Sequence, residues 1–154
     1  SIVNNDPAAD YPAAVLALAG RIVTTQRSIE ADDFFAGLFT TALDAGEIVT
    51  RVDLPIPQRF AYAKFAHPAS RFALVGVAVA RTGSGARVAV TGAGSDGAFR
   101  WADAESALGG NFAPGAIDGL SLSPDGLMSD IHADADYRAQ LVKVMTKRAV
   151  AQAQ

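Results

Sequence analysis

Lys64 lies in the run Phe60 to Ala66, where apolar and polar side chains alternate. As a strand, this run puts Phe60, Tyr62 and Lys64 on one face and Ala61, Ala63 and Phe65 on the other. A lysine in aromatic company either snorkels, with its stem on apolar surface and its ammonium in water, or makes a cationic contact to an anionic or electron-rich ligand. Ser70-Arg71-Phe72 follows closely. Ser70 and His67 raise nucleophilic hydrolysis, but no G-x-S-x-G elbow surrounds Ser70 to expose its hydroxyl to a base.

Three other groups carry candidate chemistry. Asn4, Asn5, Asp6 and Asp10 form an oxygen-rich stretch without the glycine and distal glutamate of a calcium loop. Helix capping and loop hydrogen bonds are one reading of it; a ligand contact at a helix N-terminus is the other. Asp130, His132, Asp134 and Asp136 suggest a metal cluster. Alternate residues at a helix start do not converge, however, and no second histidine is near in sequence, so capping and dipole compensation is the plainer reading. Gly92-Ala93-Gly94-Ser95-Asp96-Gly97 shares glycines with phosphate loops. It lacks their Lys-Ser/Thr ending and reads as a strand-end turn.

The elements that must position these residues follow from periodicity and punctuation. Asp6 before Pro7 predicts a helix start, and Gly20 its end; Tyr11, Ala14, Val15, Leu16 and Leu18 lie between. Arg21 to Gln26 suits a short strand, and Ala31 onward a short helix with an unassigned continuation to Leu43. Glu47 to Leu54 alternates, placing Ile48, Thr50, Val52 and Leu54 on one face and Val49, Arg51 and Asp53 on the other. Pro55 and Pro57 mark a joint. Beyond it come strands over Phe60–Ala66, Phe72–Arg81 and Arg87–Thr91, the last two forming a hairpin through Thr82-Gly83-Ser84-Gly85. Helices follow at Trp101–Leu108 and Pro114–Leu120, and from Asp130 to the C-terminus, the last with Tyr137, Leu141, Val144 and Met145 as its apolar stripe. The fold class is α+β.

Composition narrows the function. The 154 residues are 50% hydrophobic and 19% charged, with a net charge of -3 and no cysteine. Such a chain folds around a real core. It offers no thiolate for zinc, iron–sulfur ligation or nucleophilic attack. Its scattered Lys and Arg do not make a nucleic-acid surface. No apolar run reaches the ~20 residues of a membrane span, and the expectation is a soluble, cytoplasmic protein.

Several segments, in order, resemble the FAD-binding medium subunit of molybdenum hydroxylases, the carbon monoxide dehydrogenase and xanthine dehydrogenase family. Ser1-Ile2-Val3-Asn4-Asn5-Asp6-Pro7-Ala8-Ala9-Asp10 is similar to the end of the family's second flavin motif. Asp33-Phe34-Phe35-Ala36-Gly37-Leu38-Phe39-Thr40-Thr41-Ala42-Leu43, then Glu47-Ile48-Val49, resembles its D-F-F-x-G-x-x-x-T-x-L and E-[IL]-[IL] segments. Tyr62-Ala63-Lys64-Phe65 with Ser70-Arg71-Phe72-Ala73 resembles the start of its C-terminal domain, and Asp130 to Arg138 the approach to its last helix.

The resemblance implies roles. Ser1 would close a glycine turn near the FAD pyrophosphate, Asp10 would hydrogen-bond the flavin, and Val49 would lie against the cofactor. Lys64 would sit near the isoalloxazine, and Phe72 would stand beside the ring. It also implies that the family's first flavin loop and the glycines before Ser1 lie upstream of these residues. Residues 1–57 would then be the C-terminal part of an FAD-binding subdomain, strands with flanking helices. Residues 58–154 would be a C-terminal domain with a three-stranded antiparallel sheet packed on helices. The partners implied are a large subunit with the molybdenum cofactor and a small 2Fe–2S subunit, in a hetero-oligomer that passes electrons through FAD to an external acceptor. The alternative is a non-catalytic subunit-docking module without a competent flavin site.

Overall fold

The computed structural model describes residues 1–153. Its central element is β7 (Ala73–Thr82), paired antiparallel with β6 (Arg59–Ala66) on one side and β8 (Gly85–Thr91) on the other. The first eight residues of β7 are buried, so the strand is covered on both faces, as its Val- and Ala-rich run predicts.

The two faces differ in side-chain size, and this decides what covers them. Val75, Val77 and Val79, with Val88 and Val90 of β8, join a core with Leu108 of α3 (Ala102–Gly110) and Leu141, Val142 and Met145 of α4 (Ala135–Gln152). The opposite face carries Ala78, Ala80 and Ala89. Its short side chains admit α1 (Asp10–Ala17), whose Ala13 and Ala17 are fully buried there.

The earlier part of the chain forms a second antiparallel sheet in the order β2-β1-β5, from Ser28–Glu30, Arg21–Thr24 and Val49–Asp53. The short helix α2 (Ala31–Phe34) leads into a ribbon of β3 (Phe35–Gly37) and β4 (Thr40–Thr41). Ile22 and Phe34 share one core with Ala78, Ala80 and Ala89, so hydrophobic packing is continuous across Pro55 and Pro57.

The α+β expectation holds, with four local differences. The C-terminal sheet has four strands rather than three, because β9 (Phe99–Arg100) adds to β8. Helix α1 begins at Asp10 rather than beside Asp6, since the Pro7 carbonyl is taken by the Gly92 N–H at 2.7 Å. Pro12 fits in its first turn, where no intrahelical N–H is required. In β5 the pairing shifts at Val23/Thr24: Thr24 opposes Val49 and Val23 opposes Arg51. This bulge bypasses Thr50, so Val49 and Val52 both pack on the core while Ile48 is 63% exposed. The last helix starts at Ala135, capped by Asp134, whose carboxylate accepts from the Tyr137 N–H at 2.8 Å. That start leaves Tyr137 half exposed and turns Arg138, Leu141, Val142 and Met145 inward.

Candidate functional site

The alternation of β6 brings Tyr62 and Lys64 to the face covered by α1, and Asp10 opens that helix. Lys64 Nζ donates to Asp10 Oδ2 at 2.8 Å and the Tyr62 hydroxyl donates to Asp10 Oδ1 at 2.5 Å. Both carboxylate oxygens are thus engaged, one by a cation and one by a neutral donor. The Lys64 and Asp10 side chains keep 28% and 44% of their exposure, so the pair reaches solvent. Burial first, then the hydrogen bond to Asp10 and its negative charge, push the Tyr62 hydroxyl far above the usual phenol range.

The backbone before Asp10 is tied to the far end of the sheet. Thr91 Oγ1 lies 2.9 Å from the Pro7 carbonyl and 2.7 Å from that of Ala9. Asn5, fully buried and at φ 46°, donates through Nδ2 to the carbonyls of Gly37 at 2.7 Å and Thr40 at 2.9 Å. Asp6 accepts from the Ala8 N–H at 2.9 Å. Within the oxygen-rich N-terminal stretch, Asn5 and Asp6 therefore hold the loop, and Asp10 presents a carboxylate to solvent.

Of the five residues singled out from sequence, the fold joins Asp10 and Lys64 directly. Phe72 is 55% exposed and lines a cavity of about 330 Å³ whose wall includes Pro7, Ala8, His67 and Arg138, near the same loop. Ser1 and Val49 make their described contacts elsewhere: the Ser1 carbonyl accepts from the Asn5 N–H at 3.1 Å, and Val49 packs on the core of Ile22 and Phe34. Tyr62 was within reach of sequence reasoning, because the strand alternation puts it on the face of Lys64; its link to Asp10 needed the tertiary fold.

The remaining candidates resolve into structural roles. The fold supplies the second histidine that sequence lacked: His67 Nε2 lies 3.2 Å from His132 Nδ1. His67 Nδ1 faces the N–H groups of Ala69 and Ser70 at 3.2 and 3.3 Å, so it acts as acceptor and the ring proton belongs on Nε2, which donates to His132. That arrangement spends the Nε2 position on a hydrogen bond. Asp130 accepts from the His132 and Ala133 N–H groups and from buried Arg138, as a turn cap does. His67 turns its Nδ1 to backbone, and Ser70 Oγ accepts from the Phe72 N–H at 3.3 Å, so no base–nucleophile pair forms. In the glycine stretch, the N–H groups of Gly92, Ser95 and Gly97 donate to the carbonyls of Pro7, Gly126 and Gly94, a laced turn rather than an anion cradle.

Comparison with known proteins gives this geometry a context. Residues 1–57 match the family described as the FAD binding domain in molybdopterin dehydrogenase. The chain is 33% identical over 166 residues to the nicotine 6-hydroxylase medium subunit of Paenarthrobacter nicotinovorans, covering 99% of this chain and 59% of that protein. It is 28% identical to the carbon monoxide dehydrogenase medium chain of Afipia carboxidovorans, over 97% of this chain and 57% of that one. Among solved structures, quinoline 2-oxidoreductase from Pseudomonas putida 86 superposes with a TM-score of 0.79 at 28% identity, covering 99% of this chain and 58% of that one. Reconstituted CO dehydrogenase from Oligotropha carboxidovorans gives 0.80 at 25% identity, over 97% and 57%. The chain spans somewhat over half the length of the relatives it matches.

Fold and sequence both liken this chain to subunits of oxidoreductases. Residues 1–57 carry the likeness to the FAD binding domain in molybdopterin dehydrogenase, and the whole chain is similar to the medium subunits of nicotine 6-hydroxylase and carbon monoxide dehydrogenase. No helix among the described residues is long and apolar enough to cross a membrane.

The residues present fit the ring end of a flavin. A solvent-reaching ammonium and carboxylate lie side by side, and Phe72 and Tyr11 expose aromatic surface. Such a donor set suits a planar heterocycle that carries carbonyls, ring N–H and, when reduced, negative charge.

Proposed function

We propose that the protein acts as the FAD-binding medium subunit of a molybdenum-containing hydroxylase or dehydrogenase, taking electrons from a 2Fe–2S subunit and passing them to an external acceptor. The observation that carries this reading is the Asp10–Lys64 pair, formed where the FAD-domain segment meets the C-terminal sheet. Residues 1–57 and 58–154 serve as the flavin-subdomain portion and the C-terminal domain. The flavin supplies the redox chemistry. Lys64 holds a positive charge where the reduced ring would be negative, and Asp10 offers a carboxylate to ring hydrogen-bond donors while keeping the lysine in place. Phe72 shields the ring from water, Val49 supports the cofactor from β5, and Ser1 lies toward the pyrophosphate.

The partners in this reading are a molybdenum-cofactor large subunit and a 2Fe–2S small subunit, assembled as a cytoplasmic hetero-oligomer. The absence of cysteine leaves cluster ligation to a partner. Reconstitution of the complete flavoprotein with FAD tests the assignment. Asp10→Asn is expected to weaken FAD binding about tenfold, the scale of one hydrogen bond to a charged group. Unchanged affinity would remove Asp10 from the site and favour a subunit-docking role.

A further inference from the structure

We propose that Tyr62 is a positioning residue of this site: its phenol fixes the Asp10 carboxylate so that the second oxygen holds Lys64 in one place, and Gly76 makes the room it needs. This rests on the flavin reading of the Asp10–Lys64 pair.

Asp10 is located from two sides. Thr91 Oγ1 meets the carbonyl of Ala9 and fixes the backbone immediately before it. The Tyr62 hydroxyl takes Oδ1 and leaves Oδ2 to the ammonium. A carboxylate pinned at one oxygen loses most of its torsional freedom, so the lysine it carries loses freedom too. The phenol suits this task because it donates and stays neutral, adding no charge to compete with Lys64. Its half-buried, carboxylate-facing setting keeps that proton in place through the working pH range.

Gly76 is the complementary half of the device. It pairs with Lys64 across β6 and β7, one residue pair along from Tyr62 and Ala78 on the same face. A Cβ at Gly76 would stand 2.1 Å from the Tyr62 hydroxyl oxygen and 2.9 Å from Thr91 Cγ2. The missing side chain is therefore the space that the phenol occupies. An alanine, which suits Ala78 and Ala80 two and four residues on, would expel the hydroxyl from Asp10.

A double-substitution cycle on FAD affinity tests the proposal in the complete flavoprotein, with flavin fluorescence as the probe for wild type, Tyr62→Phe, Lys64→Met and the double variant. If Tyr62 acts through Lys64, Tyr62→Phe weakens FAD binding about three- to tenfold in the wild-type background, the worth of one hydrogen bond. In the Lys64→Met background it changes affinity less than about twofold. A merely structural tyrosine would cost the same in both backgrounds, and that result would overturn the proposal while leaving the flavin reading intact. A silent Tyr62→Phe beside a responsive Lys64→Met would do likewise. A silent Lys64→Met would overturn the flavin reading, and the proposal with it.

Discussion

Lys64 and Asp10, 54 positions apart in the chain, meet at 2.8 Å. The contact joins the start of α1 to the edge strand β6 of the sheet it covers, and the alanine row beneath α1 lets helix and sheet approach closely. Several measurable consequences follow from how that junction is built.

Glu47 is buried, with Arg27 Nε at 3.1 Å, Thr24 Oγ1 at 2.6 Å and the Asp44 N–H at 2.8 Å. The hydrogen bonds from Arg27, Thr24 and the Asp44 backbone lower its pKa from 4.5 to about 2. A lowered folded-state value contributes stability that is complete above the unfolded value and is lost as pH falls from about 4.5 toward 2. Acid denaturation followed by circular dichroism should show this loss, and Glu47→Gln should flatten the profile over that window.

Tyr62 has the opposite sign. Its folded pKa is raised, so its contribution persists below the ordinary phenol value and fades as pH rises beyond it. Alkaline titration at the phenolate absorbance band should leave Tyr62 protonated until the protein unfolds. Ionisation of Tyr62 at the ordinary phenol value in the folded protein would contradict its hydrogen bond to Asp10.

Arg138 is 2% exposed and donates to the carbonyls of Leu74 at 2.8 Å and Gly92 at 2.6 Å and to Asp130 at 2.7 Å. It ties the last helix to β7 and to the loop that receives Pro7. Arg138→Met should destabilise the fold by about 3 kcal/mol, because two buried carbonyls and a carboxylate lose their donor. Urea denaturation provides the check.

Gly92 adopts φ +79°, and a Cβ there would lie 2.5 Å from the Ala73 carbonyl oxygen. Strain and overlap act together, so Gly92→Ala should cost about 3 kcal/mol in the same assay. Gly109, where a Cβ would meet nothing within 4 Å, is the matched control, and Gly109→Ala should cost far less.

Much of the C-terminal sheet was legible in the sequence because its signals are local. The β6 alternation, the Val/Ala run of β7 and the Gly-containing hairpin each specify an element without help from elsewhere. What was not legible depended on distant partners. The β5 bulge arises only when β1 supplies the opposing register, and the start of α1 shifts because Gly92 claims the Pro7 carbonyl. Nothing local marks Arg138 as buried, yet the cap at Asp134 turns it inward to the carbonyls of Leu74 and Gly92. For the site, motif resemblance pointed to Asp10 and Lys64 separately, and the fold supplied their contact together with Tyr62.

The midpoint potential of bound flavin in the complete flavoprotein, compared between wild type and Lys64→Met, tests the central claim most directly. An ammonium near the ring stabilises the negative charge gained on reduction. Its removal should lower the potential by about 30 mV, equivalent to ~1.4 kcal/mol for a two-electron couple. An unchanged potential in a variant that still binds FAD would contradict the placement of Lys64 at the flavin.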